Sequence, residues 1–180
     1  MIVAAGTDTT ATALIGFVAA IVLNPHLQGR AQKEIDNAIG PVSLPTIADR
    51  DRLPYARNLI QEVLRWQPPV PAGVSHACWQ DDVYRGYSIK KGTVMALTRD
   101  ESVYKDLEVF DPDRFLDPAV PCPPIFGWDR RKCVGIQFAE AWLFITVASL
   151  LATFKLSEKR DSDGQEITPQ IGLMSNSLVI

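Results

Sequence analysis

The stretch Phe126-Gly-Trp-Asp-Arg-Arg-Lys-Cys-Val-Gly135 decides how this 180-residue chain is read. It sets Cys133 behind three consecutive cations, Arg130, Arg131 and Lys132, and a helix-like apolar run from Ile136 to Phe154 follows at once. A sulfur at the start of a helix lies at the positive end of the macrodipole. The neighbouring cations add to that field, and both favour an anionic sulfur, the form that binds metals or attacks electrophiles. Gly135 lets the backbone come close to something flat or bulky beside the sulfur. The alternative is an inert core cysteine, because free cysteine is among the most buried residue types. The cations and the glycine weigh against it.

Apolar residues make up 47% of the chain and charged residues 22%, a globular rather than a disordered composition. The length allows one domain with a real core. A net charge of −3 gives no support for nucleic-acid binding. Cys78, Cys122 and Cys133 are an odd, widely spaced set without a C-x-x-C pair. That argues against a disulfide framework or a zinc site and for reduced thiols in a reducing compartment. No cationic segment precedes the first apolar run, so no cleavable signal peptide is evident. Two runs, Ile2–Leu23 and Ile136–Phe154, are long enough to span a membrane. The first carries Asp8 among threonines and the second Gln137 and Glu140. A charge deep in a span is costly, so buried core helices are preferred over membrane spans.

The chain in order predicts a long helix over residues 2–23. A second helix follows, with Asn24 as N-cap and Pro25 at its first position, and runs to about Ile39. Thr46 and Asp49 form a capping box that opens a short helix. Pro54 opens a third long helix that ends at Trp66 before Gln67-Pro68-Pro69. Short strands are expected at Val83–Tyr84, Tyr87–Ile89 and Thr93–Leu97. Residues 101–124 read as irregular, residues 135–154 as the last helix, and a final hairpin turns at Asp161-Ser-Asp-Gly164.

Three further groups could carry chemistry. Ala5-Gly-Thr-Asp-Thr-Thr10 places an acid beside alcohols in an apolar helix, a pattern suited to proton delivery. The competing reading is local, with the threonine hydroxyls bonding back to helix carbonyls. Glu62 and Arg65 are i,i+3 neighbours opposite the apolar stripe Leu59, Ile60, Val63, Leu64, which by itself reads as a solvated ion pair. His76, one of two histidines, begins the strand region, either as a surface or core histidine or as a binding residue.

Taken together these motifs resemble the C-terminal half of the haem-thiolate monooxygenases, the cytochrome P-450 family, of eukaryotic microsomal, fungal-like type. The family's cysteine loop, Phe-x-x-Gly-x-Arg-x-Cys-x-Gly, is matched at Phe126, Arg131, Cys133 and Gly135. It is not matched at Asp129, which stands in place of the first glycine. The family's oxygen-activation motif is matched in full over residues 5–10. Its E-x-x-R falls on Glu62 and Arg65, and its Pro-x-Arg-Phe turn on Pro112-Asp-Arg-Phe115. The order and spacing cover residues 1–180.

The resemblance implies a mainly α fold with small β-sheets (α+β), the chain being a single partial domain. It implies haem b bound through Cys133, the iron ligand, with Phe126 in the binding loop and Arg131 and His76 on the propionates. Gly6 makes room for dioxygen, and Asp8 and Thr9 feed protons during its activation. Glu62, Arg65 and Arg114 form a structural triad. The implied reaction splits dioxygen and inserts one atom into a small hydrophobic organic substrate, with electrons from an NADPH-dependent reductase at the endoplasmic reticulum membrane. Membrane association would belong to the full-length form, since this chain shows no anchor or signal. The competing expectation is a truncated fragment without activity, or a haem- or partner-binding remnant, because half a fold leaves Ile2–Leu23 bare on one side. A cysteine hydrolase using Cys133 and His76 lacks a nucleophile elbow or an oxyanion-type turn. Asp129 opposes the field of the cations, or pairs with Arg130 or Arg131, and is expected to weaken haem binding.

Overall fold

Prolines set the helix boundaries. The computed structural model of the chain describes residues 2–71, 73–74, 76–95 and 102–169. Helix α1 (Ile2–Leu23) stops just before Asn24, and α2 (Pro25–Ala38) starts on Pro25, whose fixed φ and missing N–H suit the first helical position. Asn24 is the N-cap of α2, as expected, and its carbonyl accepts the Leu27 N–H at 3.0 Å, but its side chain makes no cap bond. Its side chain turns back, and Nδ2 donates to the carbonyl of Ala20 at 2.9 Å, satisfying one of the last carbonyls of α1 instead. The Thr46–Asp49 box closes as expected: the Thr46 N–H donates to Asp49 Oδ2 at 3.0 Å and a short 3-10 helix, Ile47–Arg52, follows. Helix α3 (Pro54–Trp66) is capped from outside. The N–H groups of Tyr55 and Ala56 donate to the two carboxylate oxygens of Glu34, on α2, at 2.8 and 3.0 Å, where an anion also meets the positive end of the helix dipole.

Short strands follow. β1 (His76–Ala77) pairs antiparallel with β4 (Val94–Met95), and β2 (Asp82–Tyr84) with β3 (Tyr87–Ile89) around a left-handed Arg85-Gly86 turn. The rest of the strand expected at 93–97 lies outside the described residues. Two 3-10 turns, Pro112–Leu116 and Asp129–Arg131, precede α4 (Ile136–Thr153). β5 (Lys159–Arg160) and β6 (Glu166–Ile167) form the expected last hairpin, whose continuation past 169 is outside the described residues. The fold is mainly α with small sheets, as read from the sequence.

The core is where the four helices meet. Phe17 and Ile21 of α1, Ile35 of α2, Leu59 and Val63 of α3, and Phe144 and Val147 of α4 are each at most 2% exposed. Burying such a side chain contributes about 1.5–3 kcal/mol. Helices α1 and α4 are both expected as core helices, with α1 left bare on one side by the partial fold. In the structure only 28% of Gly6–Leu23 and 28% of Ile136–Thr153 is buried, while Ile15 is 70% and Phe138 74% exposed. Each helix therefore packs along one stripe, and each is long and apolar enough to cross a membrane by length and composition.

Helix α2 also closes the end of α4. Gln28, buried, donates through Nε2 to the carbonyl of Leu156 at 2.9 Å and accepts the Leu156 N–H at 2.7 Å. Gln32 Nε2 donates to the carbonyls of Leu151 and Phe154, both at 3.0 Å. These are carbonyls that a helix terminus cannot satisfy itself. Gln28→Ala is expected to lower the unfolding free energy by about 1–3 kcal/mol, because both Leu156 groups lose their partner. Urea unfolding measures it, and an unchanged midpoint would mean that water substitutes for the amide.

Candidate functional site

The cysteine loop hangs on two anchors. Ile125 and Phe126 pack, half-buried, against the core, and the Cys133 N–H donates to the Phe126 carbonyl at 2.8 Å. That bond closes residues 126–133 into a loop with the 3-10 turn at its tip. Cys133 is an exposed free thiol. Arg130, Arg131 and Lys132 are exposed as well, and none of the ion pairs among the described residues uses them. The helix starts at Ile136, where the apolar run begins. Gly135 is the N-cap of α4, so Cys133 lies two residues ahead of the cap, with its carbonyl accepting the Ile136 N–H at 3.4 Å. The dipole field fades within about a turn, which leaves the three cations as the larger source of positive field at the sulfur.

Gly135 has φ −89°, a value open to any residue, so its use is spatial. A Cβ there would stand in van der Waals contact with Cys133 Sγ, at 3.8 Å, and its absence leaves that side of the sulfur uncovered. Val134 is 92% exposed and Phe138 74%, adding apolar surface on the same segment. A soft sulfur donor in the open, a glycine that leaves room beside it, apolar neighbours and unpaired cations fit haem, which is flat, apolar and edged with carboxylates.

The α1 motif is partly local in its bonding. Thr10 Oγ1 donates to the Gly6 carbonyl at 2.6 Å and Thr12 Oγ1 to the Asp8 carbonyl at 2.8 Å, the back-bonding expected of threonine in a helix. A Cβ at Gly6 would meet nothing within 4 Å. Gly6 and Asp8 are exposed and Thr9 is half-buried. Helix α1 packs on α4, which follows Cys133. His76 is exposed on β1, opposite Met95. Among the described residues no hydrogen bond or ion pair ties His76 or Asp8 to the cysteine loop.

Glu62 corrects the solvated-pair reading of α3. It is 0% and Arg65 4% exposed. Arg65 donates to both Glu62 oxygens, from Nε at 2.8 Å and Nη2 at 2.7 Å. Arg114 Nε reaches the same carboxylate at 3.1 Å, and the Asp111 N–H donates to it at 2.8 Å. The face opposite the apolar stripe is thus covered by residues 107–114 rather than by water. What sequence reasoning missed is how this segment is clamped. Arg65 also donates to the carbonyls of Leu107 and Val109 at 2.9 and 3.0 Å, and Trp66 Nε1 to that of Glu108 at 3.0 Å. Trp66 meets Phe110 edge-on at 5.3 Å. Only Trp66, a large aromatic at the helix end, could have signalled the clamp.

These features define a class first: a helical scaffold locked by a buried carboxylate–guanidinium cluster, with a cysteine loop ahead of its last helix. A family model described as Cytochrome P450 matches residues 1–179. The chain is 41% identical over 175 residues to the cytochrome P450 monooxygenase claR of Ampulloclitocybe clavipes, covering 91% of this chain and 33% of that protein. It is 42% identical over 177 residues to cytochrome P450 monooxygenase 176 of Postia placenta, covering 92% and 34%. A zebra fish cytochrome P450 structure with abiraterone aligns at TM-score 0.79 and 31% identity, over 94% of this chain and 41% of that one. The chain belongs to the cytochrome P450 family, the haem proteins to which these monooxygenases belong, and it spans about a third of the length of the curated relatives it matches.

Proposed function

We propose that the chain carries the thiolate side of a haem monooxygenase, in which Cys133 Sγ would hold the iron of haem b. The observation that carries this reading is the exposed Cys133 thiol, held by the Phe126 carbonyl at 2.8 Å, with Gly135 leaving open the space beside its sulfur. Haem held there supplies the redox chemistry by which one atom of dioxygen enters an organic substrate and the other leaves as water. The rest is done by the chain. Arg131, exposed and in none of the ion pairs among the described residues, and His76 would each hold a propionate through charge-assisted hydrogen bonds. Phe126 fixes the loop to the core. Gly6 leaves an open face on α1, where the Asp8 carboxylate can hold a proton and the Thr9 hydroxyl pass it on. The substrate would be small and hydrophobic, the electron donor an NADPH-dependent reductase and the location the endoplasmic reticulum membrane; no nucleic acid is involved. Haem titration of the purified chain, followed by reduction under carbon monoxide, tests the reading. A red-shifted Soret band is the expected result, and a band at the unligated or histidine-ligated position would contradict it.

A further inference from the structure

The cysteine loop needs left-handed backbone at two of three consecutive positions and has glycine at only one. Gly127 has φ 73°, and a Cβ on it would meet the Arg131 carbonyl oxygen at 3.4 Å. Asp129 has φ 46°. Its carbonyl accepts the Lys132 N–H at 3.2 Å, and the Trp128 carbonyl accepts the Arg131 N–H at 3.1 Å. The turn at Asp129 therefore sets where Arg131 and Cys133 emerge. Aspartate tolerates this region better than most residues but less well than glycine. Its carboxylate is exposed and pairs with none of the cations beside it among the described residues. Pairing that would take Arg131 away from a ligand is thus absent, and the single exposed charge of Asp129 is outnumbered by the three equally exposed cations that follow it. What is left is the backbone.

We infer that Asp129 is a positioning residue that sets haem affinity through the left-handed turn of the cysteine loop rather than through its charge. The inference rests on the reading of Cys133 and Arg131 given above. A loop that can relax out of the left-handed turn spends part of its time unable to receive the ligand, and the apparent affinity falls by the competent fraction. Glycine removes the strain, asparagine keeps the tolerance of aspartate without the charge, and alanine loses both the tolerance and the charge.

The test is a haem titration of the 180-residue chain at neutral pH and about 0.15 M salt, read by Soret absorbance, with the ferrous carbon monoxide band as a check on ligation. Asp129→Gly is expected to bind about fivefold more tightly than wild type. Asp129→Asn should lie within about twofold of wild type and Asp129→Ala several-fold weaker, all with the same band position. Equal affinity across the series overturns the inference, as does Asp129→Ala binding as tightly as Asp129→Gly, which would make charge the cause. Absence of uptake by every variant overturns it as well. Cys133→Ser, titrated alongside, separates the two claims. If it keeps the wild-type band, the Cys133 reading fails; if it loses the band while the ordering is missing, only the role of Asp129 fails. A measurement without haem serves where a variant loads poorly. Amide exchange at Lys132 and Cys133 should slow in Asp129→Gly and quicken in Asp129→Ala, and unchanged exchange overturns the inference.

Discussion

Replacing Glu62 by alanine is expected to cost about 3–5 kcal/mol of stability, the range for removing one partner of a buried ion pair. The carboxylate is fully buried and accepts from Arg65, from Arg114 and from the Asp111 N–H. Without it, two guanidiniums stay in a site where their side chains are 2% and 8% exposed. They keep carbonyl partners, Leu107 and Val109 for Arg65, Lys105 and Val109 for Arg114, and Arg65 its place over the Tyr104 ring, but no anion among the described residues. The chain contains its own control. Arg30 and Asp113 meet at 2.6 Å, but their side chains are 48% and 43% exposed. Asp113→Ala should therefore cost no more than about 1 kcal/mol. Urea unfolding of both variants at neutral pH compares the two sites directly. A loss of about 1 kcal/mol or less in Glu62→Ala would reject the buried cluster as a source of stability.

The helices were legible because their punctuation is local. Pro25 and Pro54 sit at first helical positions, and the Pro68-Pro69 pair follows the end of α3. The polar residues that tie helices together were not legible, because their partners lie far along the chain. Glu34 caps α3 across 21 residues, and Gln28 meets Leu156 across 128. Nothing in the sequence around either residue names its partner. The same holds for Glu62: its place opposite the α3 stripe was read correctly, but its burial comes from residues 107–114, which only the family pattern connected to it. Uniform apolarity hides which face of a helix is buried: α1 was expected bare on one side of the partial fold, and both α1 and α4 bury a single stripe. In the cysteine loop, the residues were visible and the backbone was not. The sequence marks Asp129 as a departure from glycine, while its φ of 46° and the absence of a pair with Arg131 come from the structure.

The second large effect falls on ligation. Cys133 is one of three free thiols, and the others serve as internal controls: Cys122 is exposed like Cys133, and Cys78 is half-buried, with its N–H donating to the Thr93 carbonyl at 2.9 Å. Exposure alone therefore does not distinguish Cys133 from Cys122. What distinguishes it is the loop, with three adjacent cations before the sulfur and a glycine two residues after it. Serine in its place keeps the shape of the loop and removes the soft donor, since a hydroxyl is not a thiolate ligand. The decisive measurement is the ferrous carbon monoxide spectrum of haem-loaded chain in three variants, Cys78→Ser, Cys122→Ser and Cys133→Ser. The red-shifted Soret band should persist in the first two and vanish in Cys133→Ser; its survival in Cys133→Ser would contradict the account.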